Sequence, residues 1–217
     1  MEKKTKKMIG GMFVSNTFPT KFFIVYLLLV MLCNLLSLPI TEKIAAIQIR
    51  NLHLDGVQNE MAQNMIGKMG TITIISSVIG SLIDVFVSSL FIFIATKIIK
   101  ADVKYSKCVL MYILVSLIIL VNEYIVLGIN NVIGIEKINT MKDMYCTSFA
   151  NILNLSGNTI FYKMMLVLNP FRLFAFVFFV YCMKIVTKSN TVKVVIISLG
   201  LIFLYVMFNT LLLNIAL

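Results

Sequence analysis

Asp84, Glu123 and Arg172 stand inside stretches of the chain that are otherwise apolar enough to cross a bilayer. An ionised group at the bilayer centre costs about 2.5 to 3.5 kcal/mol on insertion scales, so a charge kept there is paired, hydrated or engaged with a solute or proton. Counting residues at about 1.5 Å per helical position places Asp84 roughly 18 Å, Arg172 roughly 12 Å and Glu123 roughly 7 Å below the outer boundary. The cation thus lies between the two acids in depth, within reach of either if the fourth apolar helix adjoins the second or third. One carboxylate is left over and must be protonated, hydrated or near the interface. Glu123, beside Asn122 and nearer the surface, is the easier to hydrate. A structural pair that fixes helix register and a proton or ion relay both fit this cluster.

Asp84 also belongs to a pattern. Ser77, Ser81, Asp84 and Ser88 follow one another at spacings of four, three and four, which puts them on one face of a helix, with Gly80 and Ser89 at its border. Small polar residues on one stripe let helices pack closely and bond across the contact. The alternative is a polar cavity or solute path with Asp84 at its centre.

Other chemistries lack their residues. There is no H-E-x-x-H, G-x-S-x-G or P-loop motif, and a diaspartyl intramembrane protease would need a second acid of Asp84's kind. With a single histidine, His53, and dispersed Cys33, Cys108, Cys146 and Cys182, no metal ligand set, cofactor site or disulfide framework is written in the chain. The reading is non-enzymatic.

The elements that must carry these residues follow from composition. With 60% hydrophobic and 13% charged residues and a mean hydropathy of +0.99, the chain is a membrane protein. Five apolar stretches, near 23–41, 71–96, 108–128, 164–183 and 194–216, match the roughly 20 residues that a spanning helix needs. No period-two alternation supports a barrel, so the fold expected is an all-α bundle of five transmembrane helices. Residues 1–22 read as a short basic tail and 23–217 as one membrane domain, with outer loops at 42–70 and 129–163. Pro39 fits a stop for the first helix, and Pro170 fits the first turn of a helix starting near Asn169.

The net charge of +10 follows the membrane and gives no sign of nucleic acid. Lys3, Lys4, Lys6, Lys7 and Lys21 precede the first span; Lys97, Lys100, Lys104 and Lys107 follow the second; Lys184, Lys188 and Lys193 follow the fourth. The other loops are near neutral, which places the amino terminus inside and the carboxyl terminus outside. The inner lysines can also meet anionic lipid heads of the bilayer. In the first outer loop Leu54, Val57, Met61, Met65 and Met69 recur at helical spacing, either as a surface amphipathic helix or as an outward continuation of the second helix. The second outer loop has no periodicity that commits it to a structure.

Two segments carry a resemblance. Met61–Tyr112, with a Met/Gln-rich segment, a Gly/Ser/Ile span and a V-K-Y-S-K turn, and Leu166–Tyr205, with an N-P-F start and a lysine-bearing turn, resemble the bacterial branch of the Yip-domain family. The chain departs from that pattern in lacking a proline at Met111–Val115 and in carrying Phe171–Phe176 where a Trp is usual. The resemblance implies a five-helix membrane protein of the bacterial cytoplasmic membrane that modulates other membrane components, such as an ABC-type exporter. The alternative expectation is a small transporter or channel-like protein, as a homo-oligomer if one forms, with a path around Asp84 and Arg172.

Overall fold

A chain that crosses lipid must satisfy its backbone internally, and this one does so with helices throughout. The computed structural model describes residues 11, 13, 19–51, 56–134, 145–155, 157 and 159–216. Among them run α1 (Thr20–Asn51), α2 (Gly56–Ile98), α3 (Tyr105–Ile133), α4 (Phe149–Ile152), α5 (Ile160–Val167), α6 (Pro170–Thr187) and α7 (Thr191–Ala216). Five of these, α1, α2, α3, α6 and α7, contain segments long and apolar enough to cross a bilayer, which makes the chain an integral membrane protein. Their outward faces carry large apolar side chains such as Leu28, Ile83, Phe91, Val177 and Phe203, as contact with lipid requires.

α3 is the central helix. Of its most apolar stretch 44% is buried within the protein, against 22% or less for each of the other four spans. It packs on α1, α2 and α6; α1 pairs with α2, and α7 runs beside both α5 and α6. Two apolar clusters meet along α3. In one, Cys108, Met111, Ala175, Cys182, Met183 and Val194 are fully buried, together with Phe13 and the turn residues Ala101 and Val103. In the other, Tyr26, Val30, Ile40 and Ile44 of α1 pack on Val85, Val109, Ile113 and Leu127. The first cluster joins the 99–104 and 188–190 turns, so the lysines on both turns, with Lys97, Lys107, Lys184 and Lys193 beside them, gather at one end of the bundle with Phe13. Lys100 and Lys188 sit at positive φ (61° and 53°) in those turns.

The helices overrun the apolar stretches read from sequence. The loop expected at 42–70 is helical over 42–51 and 56–70, so of the two readings for this segment the continuation of the second helix is the one found. Leu54 and His53 lie outside the described residues, and the side chains of Met61, Met65 and Met69 are likewise not described. Lys3, Lys4, Lys6 and Lys7 also lie outside them. Pro39 does not stop α1, which runs to Asn51. A proline removes one helical hydrogen bond, here the one to Leu35 O, and neighbouring polar side chains bond to other carbonyls of the same helix. Asn34 Nδ2 donates to Val30 O at 2.8 Å, Ser37 Oγ to Asn34 O at 2.9 Å and Thr41 Oγ1 to Ser37 O at 3.1 Å.

The span expected at 164–183 is in fact interrupted. α5 ends at Val167 and α6 starts at Pro170, with Leu168 and Asn169 extended between them (ψ 135° and 166°). Asn169 caps α6, its Oδ1 accepting from the Arg172 N–H at 2.8 Å, and Pro170 at the first turn has no N–H to leave idle. The carbonyls freed by the break are taken up elsewhere: Arg172 Nη1 donates to Val167 O at 2.7 Å, and the Phe149 N–H donates to Leu168 O at 2.9 Å. Within α4 and the turn before it, Ser148 Oγ accepts from the Asn151 N–H and Asn151 Nδ2 donates to Tyr145 O, bracing the short helix whose Phe149 N–H reaches the break.

Candidate functional site

The three intramembrane charges reach one place. A cavity of about 650 Å³ is lined by Asp84 from α2, Glu123 from α3 and Arg172 from α6, with walls from α1, the 145–148 segment, α5 and α7. Heights along the helices place the charges close together. At about 1.5 Å per residue, Asp84 lies roughly 21 Å from the lysine-bearing end of α2, Arg172 roughly 22 Å from that end of α6, and Glu123 roughly 27 Å from that end of α3. Arg172 is therefore level with Asp84, where residue counting from the outer boundary had set it between the acids; the difference arises because α6 begins only at Pro170.

No direct ion pair forms within the cluster among the described residues. Asp84 is held by two hydroxyls: Ser88 Oγ donates to Oδ1 at 2.9 Å, and Tyr112 Oη donates to Oδ2. Both oxygens of the carboxylate thus have donors without a cation. The guanidinium is turned toward the helix break through Nη1, and its Nε is buried without a partner. Glu123 lies within electrostatic reach of Arg172 and beside Asn122. Asn122, 3% exposed, accepts from Thr147 Oγ1 at 3.0 Å, which fastens the 145–148 segment over α3. A second buried donor, Asn130 Nδ2, also faces no protein acceptor; Asn130 is 1% exposed and lines the cavity.

The polar stripe on α2 divides. Ser81 and Asp84 line the cavity, Ser88 orients Asp84, and Ser77 Oγ bonds back to Ile74 O at 2.9 Å. Gly80 is exposed, and a Cβ built there would meet nothing within 4 Å, so it serves no close helix contact inside this chain. The basic residues Lys97, Lys100, Lys104, Lys107, Lys184, Lys188 and Lys193 are remote from the cavity, at the other end of the bundle. There Lys97 approaches Asp102 at 3.7 Å and the Phe93 ring at 5.1 Å, and Lys184 Nζ donates to Ser189 O.

Four tyrosines that sequence reading did not single out also line the cavity: Tyr26, Tyr112, Tyr145 and Tyr205. So do Asn34, Ser37 and Thr41, at spacings of three and four along the Pro39 turn. That helical spacing of neutral polar residues in the first span was the available signal. On α3, Tyr112, Ser116, Glu123 and Asn130 form a second such face at spacings of four, seven and seven. Outside the spans, burial pushes the Tyr145 phenol up, with the Glu123 charge adding to the rise and Arg172 opposing it. Burial likewise raises the Cys146 thiol against two backbone hydrogen bonds, and all four cysteines are free.

Comparison with known families, with curated proteins and with solved structures finds no match for this chain.

Proposed function

We propose that this protein is a small, non-enzymatic transporter that takes a polar or charged solute into its intramembrane cavity, most simply in a bacterial cytoplasmic membrane. One observation carries the reading: charges from three different helices line a single cavity of about 650 Å³ instead of closing on one another. A pair that served only to fix register would be made directly and would exclude solvent. Two further features support it. The fourth spanning helix begins at the cavity, where the extended Leu168 and Asn169 join it to α5 and Asn169 and Arg172 line the wall. Among the described residues, buried donors on Arg172 and Asn130 at the cavity have no protein acceptor, which leaves them available to a ligand or water.

Proteoliposomes containing only the purified protein test the reading, with choline, glutamate and glycerol as tracers for cationic, anionic and neutral solutes. Uptake of at least one tracer that falls at least about tenfold, or roughly 1.4 kcal/mol, in folded Asp84→Asn supports it. Absence of Asp84-dependent uptake for all three sinks it. The accessory role beside an ABC-type exporter rests on the Yip-domain resemblance alone, and co-purification of an ATPase after mild detergent extraction is its test.

A further inference from the structure

We infer that the occupant of this cavity is an organic monocation held among tyrosine rings, an inference that rests on the cavity's being a solute site. Among the described residues Asp84 and Glu123 share the cavity with Arg172 as its one basic side chain, so with all three ionised one negative charge is left over, and the exposed Glu42 at the α1 wall adds another. In a medium of low dielectric an uncompensated charge favours an occupant of opposite sign.

The lining is also aromatic. Tyr26 on α1, Tyr112 on α3 and Tyr205 on α7 all lie within electrostatic reach of Asp84, and Tyr205 and Tyr145 within reach of Glu123. Tyrosine faces carry negative potential, and a cage of them beside a carboxylate is the chemistry that recognises alkylammonium and related cations, whose charge is too weakly hydrated to prefer water. A cavity of about 650 Å³ is far larger than a bare metal ion needs and falls in the range of organic ligands. Among the described residues no group of three His, Cys, Asp or Glu side chains is placed to hold a metal.

At the start of α6 the Arg172 N–H donates to Asn169 Oδ1, and one guanidinium donor is taken by Val167 O, while two acids share the cavity with this one guanidinium, so the lining favours a cation over an anion. The donors left over, Arg172 Nε and Asn130 Nδ2, suit a neutral acceptor such as a hydroxyl or carbonyl on the cation, or a water beside it.

Tetraphenylphosphonium and tetraphenylborate have nearly the same shape and opposite charge, so equilibrium dialysis of the two against the detergent-solubilised full chain isolates the sign. Saturable binding of the phosphonium, at least about tenfold tighter than the borate, supports the inference. Loss of that preference in Asp84→Asn and in Tyr205→Ala, with Tyr205→Phe retaining it, assigns it to the carboxylate and the ring face; size-exclusion profiles establish that each variant is folded. Equal or tighter binding of the borate overturns the inference, as does phosphonium binding that survives both Asp84→Asn and Tyr205→Ala. Asp84-dependent uptake of glutamate or glycerol without phosphonium binding overturns the cation assignment and leaves the transporter reading standing. Phosphonium binding without uptake of any tracer does the reverse.

Discussion

The two halves of the bundle solve the same packing problem in opposite ways. Toward the lysine-bearing end, α3, α6 and the start of α7 close on Cys108, Met111, Ala175, Cys182, Met183 and Val194, each with no measurable exposure. Toward the other end the same α3 turns Ser116, Asn122, Glu123 and Asn130 inward, and the helices stand apart around a cavity. Lipid offers no hydrophobic drive between helices, so association depends on packing and on interhelical bonds. The closed half has packing. The open half has its contacts fastened at the edges, by Thr147 on Asn122, Tyr124 on Leu29 O and Tyr112 on Asp84, and leaves its middle unfilled. One half of the molecule is therefore a clamp, and the other is shaped by what it leaves out.

The contrast can be broken by substitution. Met183→Ala in the closed half should cost about 2 to 5 kcal/mol, the penalty of a void among packed side chains, read as a lowered midpoint of thermal unfolding in detergent. A loss below that range would mean that this half is less tightly packed than its burial indicates. Asp84→Asn should leave that midpoint nearly unchanged, because one of the two hydroxyls, Ser88 or Tyr112, can still donate to the amide oxygen and the other can turn to accept from the amide nitrogen. Its effect should fall on solute uptake, at least about tenfold; an unfolding shift as large as that of Met183→Ala would place Asp84 with the structural residues. Asn169→Ala removes the cap of α6 and should destabilise by about 1 kcal/mol, sharpening the boundary between the halves. Gly80→Ala should stabilise by about 0.5 to 1 kcal/mol, since its Cβ meets nothing and alanine is the better helix former. Destabilisation there, together with a change of oligomeric state on light scattering, would reveal a second copy packed against α2. The smallest effect concerns Cys146, whose thiol is raised by burial. Its alkylation by iodoacetamide at pH 8 should be slower than that of an exposed cysteine and should rise through a higher pH; an ordinary thiol profile would show the 145–148 segment to be open.

Much of this was legible in the chain, and the rest was hidden for identifiable reasons. Five apolar runs announced five spanning helices, because hydropathy and length report on lipid directly. Helix ends were less legible, since α1 and α2 continue as helix beyond their apolar residues and nothing in hydropathy marks where a backbone stops bonding to itself. Pro39 misled because a proline takes only one hydrogen bond from a helix, and α1 runs on through it to Asn51. The start of α6 was legible in Asn169-Pro170, and only the continuation of the apolar run back to 164 hid the two extended residues before it. In the site, the charges were conspicuous as exceptions in an apolar field. Tyr26, Tyr112 and Tyr205 were not, because a tyrosine in a span reads as core until the carboxylate beside it is known. The direct pair expected of Arg172 failed for a local reason as well: the break set a bare carbonyl within its reach.

That break has a mechanical consequence. Two extended residues joining α5 and α6 divide the fourth crossing into two rigid rods on a short joint. The longer rod is anchored by Ala175, Phe179, Cys182 and Met183 against α3, whereas the shorter one is tied to α4 and α7. Any rotation about the joint would have to break Thr147 on Asn122 and Arg172 on Val167, two hydrogen bonds, whereas the lysine-bearing end is held by close-packed side chains. The cavity thus has a packed floor and a wall that hydrogen bonds fasten.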